Sequence, residues 1–181
     1  MLTLQEREAL LTFARETIVA RLTGSSPPRP VMLAEPHEHA GAFVTIHVNR
    51  ELRGCIGYPG SQKRLDEVVG HCAVAAATED PRFPSLSVSE FPGLDVEISV
   101  LTPIRPIHDV SEIEVGRDGL VVQDGFRKGL LLPQVATEHG WDRDTFLSHT
   151  CLKAGLRPDA WRSSAKIFRF QAEVFGEPDT K

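Results

Sequence analysis

Phe43-Val44-Thr45-Ile46-His47-Val48 alternates apolar and polar side chains with the period of two that marks a half-buried strand, and no other stretch narrows the fold as far. Asn49-Arg50-Glu51 follows as a polar turn of the length that joins antiparallel strands, so Leu52-Arg53-Gly54-Cys55-Ile56-Gly57 is expected to return beside it as a hairpin. Side chains of a strand point alternately to opposite faces. Strict alternation therefore puts Arg53, Cys55 and Gly57 on one side and Leu52, Gly54 and Ile56 on the other.

An arginine and a thiol side by side have chemical meaning, because the thiolate is the nucleophile and metal ligand and a neighbouring cation favours it. Cys55 is thus the candidate catalytic residue, with Arg53 beside it either favouring ionisation or holding an anion. Gly54 and Gly57 weaken a strand and are tolerated where something approaches the backbone, which makes them candidate binding positions. The plainer reading is a small buried cysteine, a surface arginine and a bulge at the glycines. The residues alone leave both open.

Before the hairpin, Thr3 and Glu6 form a capping box, and Leu10, Leu11, Ala14, Ile18 and Leu22 recur at helical spacing until Gly24. Ser25 to Pro30 cannot continue that helix, because proline removes donors and fixes φ. Glu35-Pro36-His37-Glu38-His39 gathers metal-ligand types, but between proline and glycine it reads as a solvated loop, and no metal is expected. Leu65, Val68, Val69, Cys72 and Ala76 mark a second helix that buries Cys72 and leaves His71 at the rim.

Asp80-Pro81-Arg82-Phe83-Pro84 is held rigid by its prolines. Arg82 therefore either locks the loop onto a buried aspartate or serves as a second anion contact. Leu94, Val96, Ile98 and Val100 alternate with Asp95, Glu97 and Ser99, whose side is expected to face solvent. Ile113–Val115, Gly119–Val122 and Gly129–Leu132 read as short strands, with Asp124-Gly125 as a hairpin turn. Pro133 opens a short helix, and Asp142 caps another that buries Phe146, Leu147, Thr150 and Cys151 with His149 beside that stripe. His108 is a loop histidine. Ile167 to Phe175 alternates as a closing strand, and without regular βαβ alternation the chain reads as α+β with a mainly antiparallel sheet.

The 181 residues suffice for one domain with its own core. A formal charge of −5 lacks the positive excess that phosphate neutralisation requires, so no nucleic-acid partner is expected. Three cysteines with no close pair fit a reducing cytosol, and no stretch approaches the ~18 apolar residues of a membrane span. A cytoplasmic protein without a membrane partner is expected. The chain contains no glycine-rich dinucleotide or phosphate loop, no four-cysteine zinc pattern and no cysteine triad for an iron–sulfur cluster, so no cofactor is expected.

Leu52-Arg53-Gly54-Cys55-Ile56-Gly57 resembles the signature of the AMMECR domain family, the A component of the AmmeMemoRadiSam system. The resemblance runs on in order through Asp80–Pro84, Ile98–Pro103, Gly116–Leu120, Leu131–Ala136, Gly140–Asp142 and Cys151–Leu156, and so covers nearly the whole chain. Tyr58-Pro59-Gly60 departs from it, where the family usually carries a small or hydroxylated residue and a longer loop. The resemblance implies an α+β fold with a large and a small lobe around a cleft. On this chain the smaller lobe would lie around 30–80, and the larger would comprise the N-terminal helix plus 81–181. It also implies Memo-type and radical S-adenosylmethionine proteins as partners.

Two functions are then expected. One is a binding and assembly module that recognises those partners, or a small anionic ligand, through Arg53, Gly54, Gly57 and Arg82. The other is a thiol-dependent enzyme with Cys55 as nucleophile or ligand.

Overall fold

Thr3 caps helix α1 (Leu4–Thr23): its hydroxyl accepts the N–H of Glu6, while the Glu6 carboxylate accepts the N–H of Thr3. Gly24, at φ 73°, ends the helix in the left-handed conformation that glycine adopts without a Cβ penalty. The structure, a computed structural model, describes residues 2–34 and 40–177. Glu35 to His39 and the metal-ligand types they carry lie outside the described residues.

The chain divides into two compact units, Met1–Val100 with Glu173–Lys181, and Leu101–Ala172. The expected division, around 30–80 against the N-terminal helix plus 81–181, differs from this one. The reason lies in α1, whose buried Leu10, Leu11, Ala14 and Ile18 join the same core as the hairpin and the second helix.

In the first unit, β1 (Gly41–Val48) and β2 (Glu51–Tyr58) form the expected hairpin. Asn49 and Arg50 both have positive φ, the geometry of a two-residue turn whose twist matches the strands, so Glu51 already belongs to β2. Helix α2 (Leu65–Thr78) and strand β3 (Leu94–Leu101) complete the core, with Val44, Ile46, Leu65, Val69, Cys72 and Ile98 all buried. Each fully buried Val, Ile or Leu contributes about 1.5–3 kcal/mol, so this cluster is what holds the hairpin down. Ser99, expected to face solvent, is buried at 1 % exposure. Ile98, Ser99, Val100 and Leu101 are all buried, so both faces of β3 are covered at its end.

In the second unit, β4 (Arg105–Pro106) pairs with β7 (Lys166–Gly176, of which the part to Ala172 belongs to this unit), and β7 pairs with β5 (Asp118–Asp124). β6 (Arg127–Leu131) is the other arm of the predicted Asp-Gly hairpin. Helix α3 (Pro133–Glu138) starts on its proline, and α4 (Arg143–Lys153) starts on Asp142, whose carboxylate accepts the N–H of Thr145 at 2.8 Å. Phe146 and Leu147 of α4 pack with Leu120 and Ile113. Ile113 to Val115 is not the expected strand. The Ile113 N–H donates to the Val110 carbonyl at the end of a short 3₁₀ turn (Val110–Glu112) and the Glu114 N–H to the Asp118 carboxylate, so local bonds take the donors that strand pairing would use. All the strand pairs of both hairpins and of β4 and β5 with β7 are antiparallel, and the fold is α+β.

Candidate functional site

The pairing Thr45 with Cys55 and Ile46 with Gly54 is in register, but the next β1 residue, His47, faces Leu52. Arg53 is therefore the extra residue of a β-bulge. Directly paired residues share a face of the sheet. Ile46 and Gly54 face the core, whereas Thr45, His47, Cys55 and Leu52 share the other side. Strict alternation fails here: the bulge moves Leu52, 41 % exposed, from the expected Gly54 side to that of Cys55.

The two glycines are explained by the protein itself. A Cβ at Gly54 would lie 2.1 Å from the Ala76 carbonyl oxygen, so the approaching backbone is that of α2. A Cβ at Gly57 would lie 2.2 Å from the Phe43 ring, which sits over it.

The Arg53 guanidinium makes its hydrogen bonds within the first unit. Its Nε donates to Glu90 Oε1 at 2.7 Å and its Nη1 to the Pro84 carbonyl at 2.7 Å, while Nη2 reaches the Ser85 carbonyl and Glu90 Oε2, each at 3.3 Å. The Arg53 side chain is 15 % exposed. Arg53, together with the backbone of Ser87, holds the Glu90 carboxyl below its ordinary value. These contacts make Arg53 a clamp between β2 and the 84–90 segment, and they occupy the Nε and Nη2 edge with which a guanidinium would fork an external anion.

Asp80 forms a second clamp. Its Oδ2 accepts the backbone N–H of Cys55 at 2.9 Å, and Arg82 forks onto both carboxylate oxygens at 3.0 and 2.7 Å. Asp80 is buried, and the Arg82 fork, aided by the N–H of Cys55, keeps its carboxyl well below the usual carboxylate range. Arg82 thus locks the loop, as one of its two expected roles required. Its side chain stays 54 % exposed, with the guanidinium 5.3 Å from the Phe83 ring centroid.

The residue held by the second clamp carries the thiol. Cys55 is half-buried, and the Thr45 hydroxyl donates to its Sγ at 3.3 Å. Cys72 and Cys151 are buried. Burial pushes the Cys72 thiol up to about 12 and raises that of Cys151. Cys55 is therefore the one cysteine that solvent reaches.

The histidines lie elsewhere in the chemistry. His71 Nε2 and the Tyr58 hydroxyl are 3.0 Å apart on the exposed side of α2, and His149, in the second unit, stacks on Trp141 with ring centroids 3.9 Å apart. Among the described residues no group of three metal-ligating side chains comes together. Asp80, Glu90 and Thr45 complete the site without having been singled out in the sequence. The Ser87-to-Glu90 spacing of a capping box was the one local signal for Glu90, and that box is present.

The sequence profile of the AMMECR1 family matches residues 11–175. The chain belongs to the AMMECR1 family. A protein of Thermofilum pendens is 44 % identical to it over 199 residues, covering 99 % of this chain and 93 % of its own. One from Methanopyrus kandleri is 46 % identical, covering 98 % and 91 %. The crystal structure of the uncharacterized protein PH0010 from Pyrococcus horikoshii is similar at a TM-score of 0.89 and 40 % identity, over 97 % of this chain and 93 % of that one. In this AMMECR1-family protein the hexapeptide Leu52–Gly57 thus carries the bulge, the first clamp and the open thiol. No helix among the described residues is long and apolar enough to cross a membrane.

Proposed function

We propose that this AMMECR1-family protein is a cytoplasmic binding and assembly module that engages Memo-type and radical S-adenosylmethionine proteins through the Cys55 face of its hairpin. The observation that carries this reading is the double clamp. Arg53 with Glu90 and Asp80 with Arg82 tie β2 to the 80–90 segment at Arg53 and at the backbone of Cys55, whose thiol is half-open. A surface fixed in this way loses little freedom on docking, which is how preorganisation raises affinity. Leu52 at the bulge and the exposed half of Arg82 flank the thiol with apolar and cationic contacts. The partner classes come from the family resemblance.

Retention of the two partner classes on the immobilised protein tests the reading. Wild type should retain at least one, and Cys55→Ser, Arg82→Gln and Arg53→Ala should each weaken retention tenfold or more. Equal retention by wild type and all three variants would overturn it.

A second reading, a thiol-dependent enzyme with Cys55 as nucleophile, is favoured by one contact. The Thr45 hydroxyl donates to the Cys55 sulfur at 3.3 Å and so fixes the direction in which the thiol points. Alkylation rates followed from ~pH 6 to ~pH 9 separate the readings, since an ordinary cysteine thiol titrates at ~8.5. A nucleophilic Cys55 requires a rate that Thr45→Val slows at neutral pH, and an unchanged profile removes this alternative.

A further inference from the structure

Arg105 of β4 and Arg169 of β7 are directly opposed across an antiparallel pair. Directly opposed residues stand with their Cβ atoms about 4.5–5.5 Å apart, and like charges in that position destabilise the pair. Arg169 is also paired with Leu120 of β5, and Gln171 with Asp118, so Asp118, Arg169, Gln171 and Arg105 lie on one face of the sheet. Together with Thr102 and Pro103 they line a pocket of about 260 Å³, wholly within the second unit.

The charges in this pocket do not cancel. Asp118 is buried, but its carboxylate already accepts the Arg117 fork at 3.1 and 2.8 Å and the N–H of Glu114 at 2.9 Å. Arg169 stands 3.5 Å from Asp118 and 3.9 Å from Glu112, ion pairs without a hydrogen bond. Among the described residues Arg105 has no acidic partner. Thr102 Oγ1 accepts the Gln171 N–H at 2.8 Å and keeps its own hydroxyl proton to donate. The face thus presents two guanidinium forks with free donors, a hydroxyl and a side-chain amide, around space that a small molecule can enter.

We infer that this pocket is a binding site for a phosphoryl dianion, carried either by free inorganic phosphate or by a small phosphate monoester. One fork satisfies a carboxylate, whereas a tetrahedral dianion accepts from two forks at once and removes the repulsion between the opposed arginines. Asp118 is paired by Arg117, which also holds Glu114, and by Arg169, so its carboxylate does not meet the ligand as an unpaired charge. The site is separate from the hairpin face, and its test stands or falls without that reading.

Calorimetric titration with inorganic phosphate, glycerol phosphate and succinate provides the test, at ~0.01 M ionic strength because salt screens exposed charges. Saturable one-to-one phosphate binding is expected, with a Kd at or below ~1 mM. Arg105→Gln, at an exposed position, and Arg169→Gln should each weaken it tenfold or more, whereas Arg157→Gln, an exposed arginine outside the pocket, should leave it unchanged. A monoester that binds more tightly than phosphate assigns the organic source, and equal or weaker binding assigns the free ion. Absence of saturable phosphate binding, succinate binding as tight as phosphate, or full binding by Arg105→Gln would each overturn the inference. Thermal unfolding of each variant shows that the fold is kept, and Arg105→Lys, which retains the charge but not the fork, should bind with intermediate strength.

Discussion

Asp80 accepts the backbone N–H of Cys55 at 2.9 Å, so a buried carboxylate holds the strand residue whose thiol faces solvent. Asp80→Ala leaves that N–H without its acceptor and Arg82 without its partner. A buried group left unsatisfied costs about 1–3 kcal/mol, and a loss of that size is expected in the free energy of unfolding by urea.

The same carboxylate gives the stability a pH dependence. Its native pKa lies below the unfolded value, so its contribution is present above the unfolded pKa of about 3.9 and is lost as pH falls toward the native one. The urea midpoint of the wild type should therefore drop between ~pH 5 and ~pH 2, and that of Asp80→Asn should drop less. Parallel curves for the two proteins would remove Asp80 as the cause.

Thiol reactivity should separate the three cysteines. A small maleimide added to the native protein is expected to label one site, Cys55, because Cys72 and Cys151 are buried and their thiols raised. Intact mass should show one adduct on the wild type, none on Cys55→Ser, and two on Cys55→Ser after unfolding.

Gly54→Ala places a methyl 2.1 Å from the Ala76 carbonyl oxygen, and only a shift of α2 relieves the overlap. Overpacking of this kind costs about 1–3 kcal/mol, seen as a lowered melting temperature. Gly60→Ala, with nothing within 4 Å, should leave the melting temperature unchanged.

The Arg53–Glu90 clamp should be measurable as a coupling. In a double-mutant cycle of Arg53→Ala and Glu90→Ala, contacting residues of this kind show interaction energies of about 0.5–3 kcal/mol. The pair Arg157 and Asp159, with side chains 83 % and 53 % exposed, should give less than ~0.5 kcal/mol.

The elements of this protein were written locally. The capping box at Thr3 and Glu6, the stop at Gly24, the alternation from Phe43 to Val48 and the proline start at Pro133 each depend on neighbours within a few residues, and each formed where it was read. Family membership was equally legible, and the family profile spans residues 11–175. What tertiary structure decided was the direction and partner of each side chain. A bulge at Arg53 turned Leu52 to the side of Cys55, Glu90 took the guanidinium, and Asp80 reached back to a backbone N–H. Ser99 was buried although its strand alternates. Sequence periodicity fixes which residues could share a face, but the partner that satisfies a charge comes from a remote stretch of chain, and only folding brings that stretch within hydrogen-bonding distance.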